Sequence, residues 1–188
     1  TCALPIYNSP KHLQCDVWEI LNSDWDFAVL HPMCTYLTVS AAWAFKDPDY
    51  VKYPGVGYHQ RVKEGTLTGG ARSIARDEAL LNFRLLLALP FPVAIENPAT
   101  SFLNKAIRPP DQIIHPWMFG DDASKGTGLW LTKNTPKLEH NVKDAFKPRV
   151  VNGALRWSNQ TDSGQNRLSP SDDRWLERSK TYPGIAAA

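Results

Sequence analysis

Two short clusters of reactive side chains follow apolar segments of the sequence. The first, residues 31–36, carries the thiol of Cys34 behind His31 and Pro32, and the second is Glu96-Asn97-Pro98. A thiolate is a strong nucleophile, and a carboxyl group donates or accepts a proton near a reacting ring. The pair Cys34 and Glu96 therefore predicts nucleophilic catalysis with acid–base assistance.

The elements before these clusters place them on a common edge. Trp25–Leu30 (WDFAVL) and Pro92–Glu96 (PVAIE) are apolar without a helical period, which is typical of buried parallel strands. Between them, Ala71–Leu89 has apolar residues at helical spacing. A strand, a crossover with a helix and a second strand predict a βαβ unit. Because ligands bind at the carboxyl ends of such strands, Cys34 and Glu96 are expected to face one cleft if the strands are neighbours.

The remainder of the chain has weaker patterns. Residues 46–70 predict a long loop, and Lys133–Arg167 is polar and weakly patterned. Short apolar runs and helix-start signals predict several further elements. These are a strand at His12–Val17, a helix at Val17–Leu21, strands at Gln112–Ile114 and Gly128–Leu131, and a last helix from Ile185.

Composition bounds the class of protein. At 188 residues, with 43% hydrophobic and 21% charged residues, the chain is expected to form one globular domain, 1–188. A net charge of +2 gives no overall basic footprint, so any nucleic-acid contact must depend on local clusters of cations. Three sparse cysteines without metal-ligand spacing fit a reducing, cytoplasmic compartment and no metal site. No apolar run is long enough to span a membrane.

Taken together, these segments resemble the cytosine-C5 DNA methyltransferases, and in particular a compact phage-encoded branch of that family. HPMCTYL is similar to the proline–cysteine loop of the family, and IENP is similar to its Glu-Asn motif. IRPPDQIIHPWMFGDDASKGTGLWL and the C-terminal tail extend the resemblance over nearly the whole chain. The resemblance implies a Rossmann-like α/β methyltransferase fold, with a mostly parallel sheet flanked by helices. It also implies S-adenosyl-L-methionine (SAM) as cofactor and DNA as partner.

The same resemblance implies roles for individual residues. The thiolate of Cys34 would add to C6 of cytosine, and the resulting enamine would attack the sulfonium methyl group of the cofactor. Glu96 would stabilise or protonate the ring at N3, in a base that has left the duplex. The resemblance assigns Asp16 and Pro32 to the cofactor, and Asn97, Thr35 and Lys125 to the substrate.

Each of these residues also has an ordinary structural interpretation. A cysteine after a buried strand is usually a small core residue, and a glutamate at a strand end is usually solvated. Asp16 is well placed to cap the helix that follows it, Lys125 would suit a solvated loop, and His31 is expected to be structural. Four cations could form a phosphate-binding patch or merely a solvated face. They are Arg61, Lys63, Arg72 and Arg76.

The chain departs from the family pattern on the cofactor side. Nothing before Thr1 supplies the first strand and the glycine-containing loop, so the fold is expected to be incomplete at its N-terminus. Ala3 stands where an acid is expected, the nucleophile loop has Met33 before Cys34, and only 133–167 could replace a target-recognition domain. Three hypotheses follow. They are a DNA methyltransferase, a catalytically inactive nucleic-acid-binding or interaction protein with the same fold, and a cysteine-dependent enzyme acting on free cytosine nucleotides.

Overall fold

The computed structural model describes residues 13–21, 23–140, 145–169, 171 and 174–188. They form a mixed α/β structure with a small mixed sheet. None of the described helices is long and apolar enough to cross a lipid bilayer. The strands are β1 (Ala28–Leu30), β2 (Val93–Pro98), β3 (Gln112–Ile114), β4 (Thr127–Leu131), β5 (Arg149–Val151) and β6 (Ala154–Arg156). The α-helices are α1 (Val17–Ile20), α2 (Gly69–Leu87), α3 (Leu103–Ala106), α4 (Arg174–Ser179) and α5 (Pro183–Ala187), with 3₁₀ segments at Val39–Phe45 and Pro116–Phe119.

The main sheet has the strand order β1-β2-β4-β3. β1 and β2 are parallel, with Leu30 opposite Ile95, while β4 is antiparallel to both β2 and β3. The expected mostly parallel sheet is therefore wrong: of the three pairings only β1–β2 is parallel, because β4 runs against the other three strands. Helix α2 supplies the crossover that a parallel pair requires, whereas the β3–β4 connection, 115–126, contains only a 3₁₀ turn.

Helix α2 covers the sheet with one face. Leu80, Phe83 and Leu86 are buried, and the ring of Phe83 meets that of Trp130 on β4 edge-to-face at a centroid distance of 5.4 Å. Burying each of these side chains stabilises the fold by about 1.5–3 kcal/mol. The predicted βαβ unit is thus present, and it places the end of β1 beside Ile95 of β2.

Hydrogen bonds attach the loop before β3 to the end of β4. The Asp111 carboxylate accepts hydrogen bonds from the Leu131 amide at 2.7 Å and the Arg108 guanidinium at 2.6 Å, and the Trp130 indole donates to the Arg108 carbonyl at 2.8 Å. Partial burial alone would raise the pKa of Asp111, but the hydrogen bonds from Leu131 and Arg108 hold it below its usual value.

The predicted strand at 12–17 is wrong in the part that the structure describes. His12 lies outside the described residues, and 13–16 form no strand. The side chain of Asp16 instead accepts the Trp18 amide at 3.0 Å and caps α1, so the predicted helix at 17–21 is confirmed.

Within the polar segment 133–167, strands β5 and β6 form a hairpin. Asn152 and Gly153 both have positive φ, 49° and 76°, as the two-residue turn of a tight hairpin requires. The ring of Trp157 stacks on that of Trp117 at 5.7 Å, which attaches the segment to the β3–β4 connection.

Candidate functional site

The carboxyl ends of β1 and β2 bring His31 and Glu96 together. Leu30 pairs with Ile95, so His31, the residue after β1, lies beside Glu96 of β2. His31 Nδ1 is 3.3 Å from Glu96 Oε2, and the two side chains are 57% and 27% exposed. The expectation that the two strands are neighbours is confirmed, and Glu96 is accessible at this edge. His31, expected to be structural, is a member of the candidate site.

Asn97 ties the end of β2 to the loop after β1. Its side chain is fully buried, and Nδ2 donates to the Pro32 carbonyl at 3.1 Å. Because a buried amide that loses its partner is costly, this contact fixes the separation of the two strand ends. In this geometry Asn97 and Pro32 position the strand and the loop relative to each other. The expected contact of Asn97 with substrate and that of Pro32 with the cofactor stay predictions.

The loop that carries Cys34 is a turn anchored to the segment after β2. The Cys34 carbonyl accepts the amides of Leu37 and Thr38 at 3.0 and 2.9 Å. Thr38 bridges to Ser101, and the Phe102 amide donates to the Leu37 carbonyl at 2.7 Å. Cys34 itself is exposed, so its ordinary interpretation as a small core residue is wrong.

Arg72 holds this loop from beneath. The residue is 3% exposed, and its guanidinium donates to the carbonyls of Thr35 at 3.0 Å and Leu67 at 3.2 Å. It also lies over the rings of Tyr36 at 5.2 Å and Phe45 at 4.9 Å. Carbonyl dipoles and aromatic faces therefore compensate the buried charge. Arg72 is not available to a phosphate group, and the role of Thr35 toward substrate stays a prediction.

The four cations of the suggested patch separate into two sets. Arg76 is half-buried and lies over the rings of Phe45 and Phe102 at 4.4 and 5.0 Å, so it shares the Phe45 ring with the buried Arg72. Arg61 and Lys63 instead line a shallow hollow of about 370 Å³ beside Trp43. The structure does not bring all four cations to one face.

The loop before β4 approaches the same end of β2. Lys125 is half-buried in this loop, and the carbonyl of the next residue, Gly126, accepts the Ala99 amide at 3.0 Å. Lys125 therefore lies in a loop that contacts the residue after β2, and its predicted substrate contact stays a prediction. Asp16 lies elsewhere as the cap of α1, which bears out its structural interpretation, while its cofactor role stays a prediction.

His115 is a member of this edge that the sequence reasoning missed. It directly follows β3, a strand that runs in the same direction as β1 and β2. Its ring lies within 3.4 Å of the Ser124 hydroxyl, and a Cβ on Gly126 would be 3.4 Å from it. Burial lowers the pKa of His115 and favours the neutral imidazole. The signal was available, because a histidine follows a short apolar strand here just as His31 does.

The use of SAM as cofactor stays a prediction. The sequence has no glycine before Gly55, and the carboxylate of Asp16 is engaged as a helix cap. A metal centre is not formed either, because no group of three or more His, Cys, Asp or Glu side chains in the described ranges is placed to hold an ion. Comparisons with protein-family models, curated proteins and solved structures found no match for this chain.

Proposed function

We propose that this chain forms the part of a phage-type DNA cytosine-C5 methyltransferase that binds and activates the target cytosine, acting in the host cytoplasm. The observation that carries the proposal is the shared edge of β1 and β2. There the exposed Cys34 lies in the loop after β1, and Glu96 lies in β2, two residues before its last residue, Pro98. The contacts His31–Glu96 and Asn97–Pro32 hold the two strand ends together. The Rossmann-like fold and the use of SAM as methyl donor belong to the proposal.

The chemistry assigned to the chain's own residues is addition to the ring. The Cys34 thiolate forms a bond to C6, the C5–C6 double-bond pair shifts through C4, and the carboxyl group of Glu96 supplies the proton that N3 takes up. His31 Nδ1, at 3.3 Å from Glu96 Oε2, is placed to exchange a proton with that carboxyl group. The product is an enamine whose C5 is nucleophilic. Once C5 has bonded an electrophile, which is a proton from water in the exchange reaction, the original C5 hydrogen leaves as a proton. Return of the N3 proton to the Glu96 carboxylate, with expulsion of the Cys34 thiolate from C6, then restores the aromatic ring.

Exchange of the C5 hydrogen tests this step without a methyl donor. The enamine takes a proton from water at C5, so we expect duplex DNA containing 5-tritiated cytosine to release tritium when it is incubated with the protein. Cys34→Ser should abolish the release and Glu96→Gln should reduce it by about 10²-fold or more. Cys15→Ser is the matched control, because Cys15 is the other exposed cysteine of the described chain. Equal release by wild type and Cys34→Ser would exclude the mechanism.

One observation favours a second candidate, a catalytically inactive nucleic-acid-binding protein with this fold. Asp16, to which the resemblance assigns a cofactor contact, caps α1, and this sequence has no glycine before Gly55 that could form the loop by which the family holds SAM. This candidate predicts no tritium release by the wild-type protein, together with DNA binding that Cys34→Ser leaves unchanged.

A further inference from the structure

A hollow of about 450 Å³ opens between the β5–β6 hairpin and the connection from β3 to β4. Its charged lining consists of four cations and one carboxylate: Lys147, Arg149, Arg156, Arg167 and Asp122. The whole chain has 21 cations against 19 acids, so this excess is a local feature and not a result of composition. The hollow therefore forms a concentrated positive surface on a nearly neutral protein.

Two of the four cations in the hollow contact Asp162, and the other two are exposed to solvent. Arg149 pairs with the Asp162 carboxylate at 2.8 Å, and Arg156 Nε donates to the Asp162 carbonyl at 3.0 Å. Lys147 and Arg167 are exposed, and their side chains form no ion pair with the part of the chain that the structure describes. Charge that is not neutralised within the protein remains available to an anion.

The hollow is coupled to the candidate site by backbone contacts. The Arg167 amide donates to the Asn159 carbonyl at 3.0 Å, and the Asn159 side chain exchanges two hydrogen bonds with the Ser124 backbone at 3.0 and 2.9 Å. Two residues further along this loop, Gly126 accepts the amide of Ala99, which directly follows β2. The same loop thus contacts both Asn159, which holds Arg167 of the hollow, and Ala99, the residue after the strand that contains Glu96.

We propose that this hollow binds backbone phosphates of duplex DNA and so positions the strand whose base reaches Cys34. Guanidinium and ammonium groups bind phosphate oxygens, and phosphate contacts fix the register of a protein on DNA without reading its sequence. The carboxylate of Asp122, which accepts the Ser158 amide at 2.9 Å, contributes one negative charge against the four cations of the lining. The choice of duplex DNA as the polyanion rests on the proposed function, whereas the phosphate-binding surface rests on the hollow alone.

The salt dependence of binding tests the inference. Each phosphate contact that is lost should reduce the slope of log K against log salt concentration by about 1. We expect Lys147→Gln/Arg167→Gln to lower the slope by about 2 in fluorescence-anisotropy titrations with a duplex oligonucleotide. Lys133→Gln/Lys137→Gln is the matched control, because it removes the same charge from exposed positions of the same segment outside the hollow. It should keep the wild-type slope.

Equal slopes for the two double variants, or a wild-type protein that binds no duplex, would overturn the inference. Circular dichroism of each variant confirms that the exposed substitutions leave the fold intact. Cys34→Ser separates this inference from the proposed function, since it should abolish tritium release and keep the wild-type binding slope. Tritium release with no slope change in Lys147→Gln/Arg167→Gln would refute the phosphate site alone.

Discussion

Replacing Arg72 by methionine should destabilise the fold strongly, although the side chains are similar in length. The substitution removes hydrogen bonds to the carbonyls of Thr35 and Leu67, each worth about 1.5 kcal/mol when the donor is charged. It also removes the cation–π contacts with Tyr36 and Phe45, about 1 kcal/mol together. Relief of the buried charge offsets part of this loss, which leaves a net decrease in unfolding free energy of about 3 kcal/mol.

Urea and thermal unfolding, followed by tryptophan fluorescence, measure the effect. A loss of about 3 kcal/mol corresponds to a decrease in Tm of about 6–12 °C for a chain of this size. Arg76→Met is the matched control one turn later, because Arg76 lies over Phe45 and Phe102 but makes no hydrogen bond with the described residues. It should lose about 1 kcal/mol or less. Equal losses for the two variants would refute the assignment of stability to the two carbonyl contacts.

Three further substitutions probe the contacts around the sheet. Burial lowers the pKa of His115, so protonation opposes folding and wild-type stability should fall as the pH drops through 6.5. Urea titrations at several pH values should show this fall in the wild type and not in His115→Gln. Parallel pH profiles of the two proteins would contradict it. The pKa of Asp111 is also lowered, so its stabilisation is present above pH 3.8 and is lost below it. Asp111→Asn should lower the free energy of unfolding by about 1 kcal/mol at pH 7, and its stability should decrease less than that of the wild type as the pH falls below 3.8. An unchanged decrease in stability at acid pH would refute this. In Gly128→Ala the new Cβ would lie 2.8 Å from the Trp130 ring, so we expect a loss of about 1–3 kcal/mol in denaturant unfolding. Wild-type stability in that variant would show that the ring moves aside freely.

The sequence predicted the elements with strong local signals and failed where tertiary contacts decide. The apolar runs and the helical period of 71–89 located β1, α2 and β2 within a few residues. The direction of β4 was not predictable from its own residues, because the pattern GLWL fits a buried strand of either direction. The connection 115–126, which contains no α-helix, carried the missing information, since strands joined in this way pair antiparallel.

For the candidate site, the sequence predicted the neighbouring strands and only some of the contacts around them. The apolar runs predicted that the strands before Cys34 and Glu96 are neighbours, and their parallel pairing confirms it, while the shared cleft of the two side chains stays a prediction. The rule that ligands bind at carboxyl strand ends applies to His31 and His115 as well, but a histidine is also common in structural roles, so the residue type alone did not distinguish them. The burial of Arg72 depends on two aromatic rings and two distant carbonyls that no local pattern reveals.

Covalent capture of a cytosine analogue tests the central claim most directly. A ring nitrogen at position 5 makes C6 of 5-azacytosine more electrophilic, so a duplex that contains this base should trap the attacking thiolate. Digestion of the adduct and mass spectrometry should find the base on the peptide that contains Cys34, with no adduct in Cys34→Ser. An adduct on the peptide of Cys15, or no adduct with the wild-type protein, would contradict the assignment of Cys34 as the nucleophile.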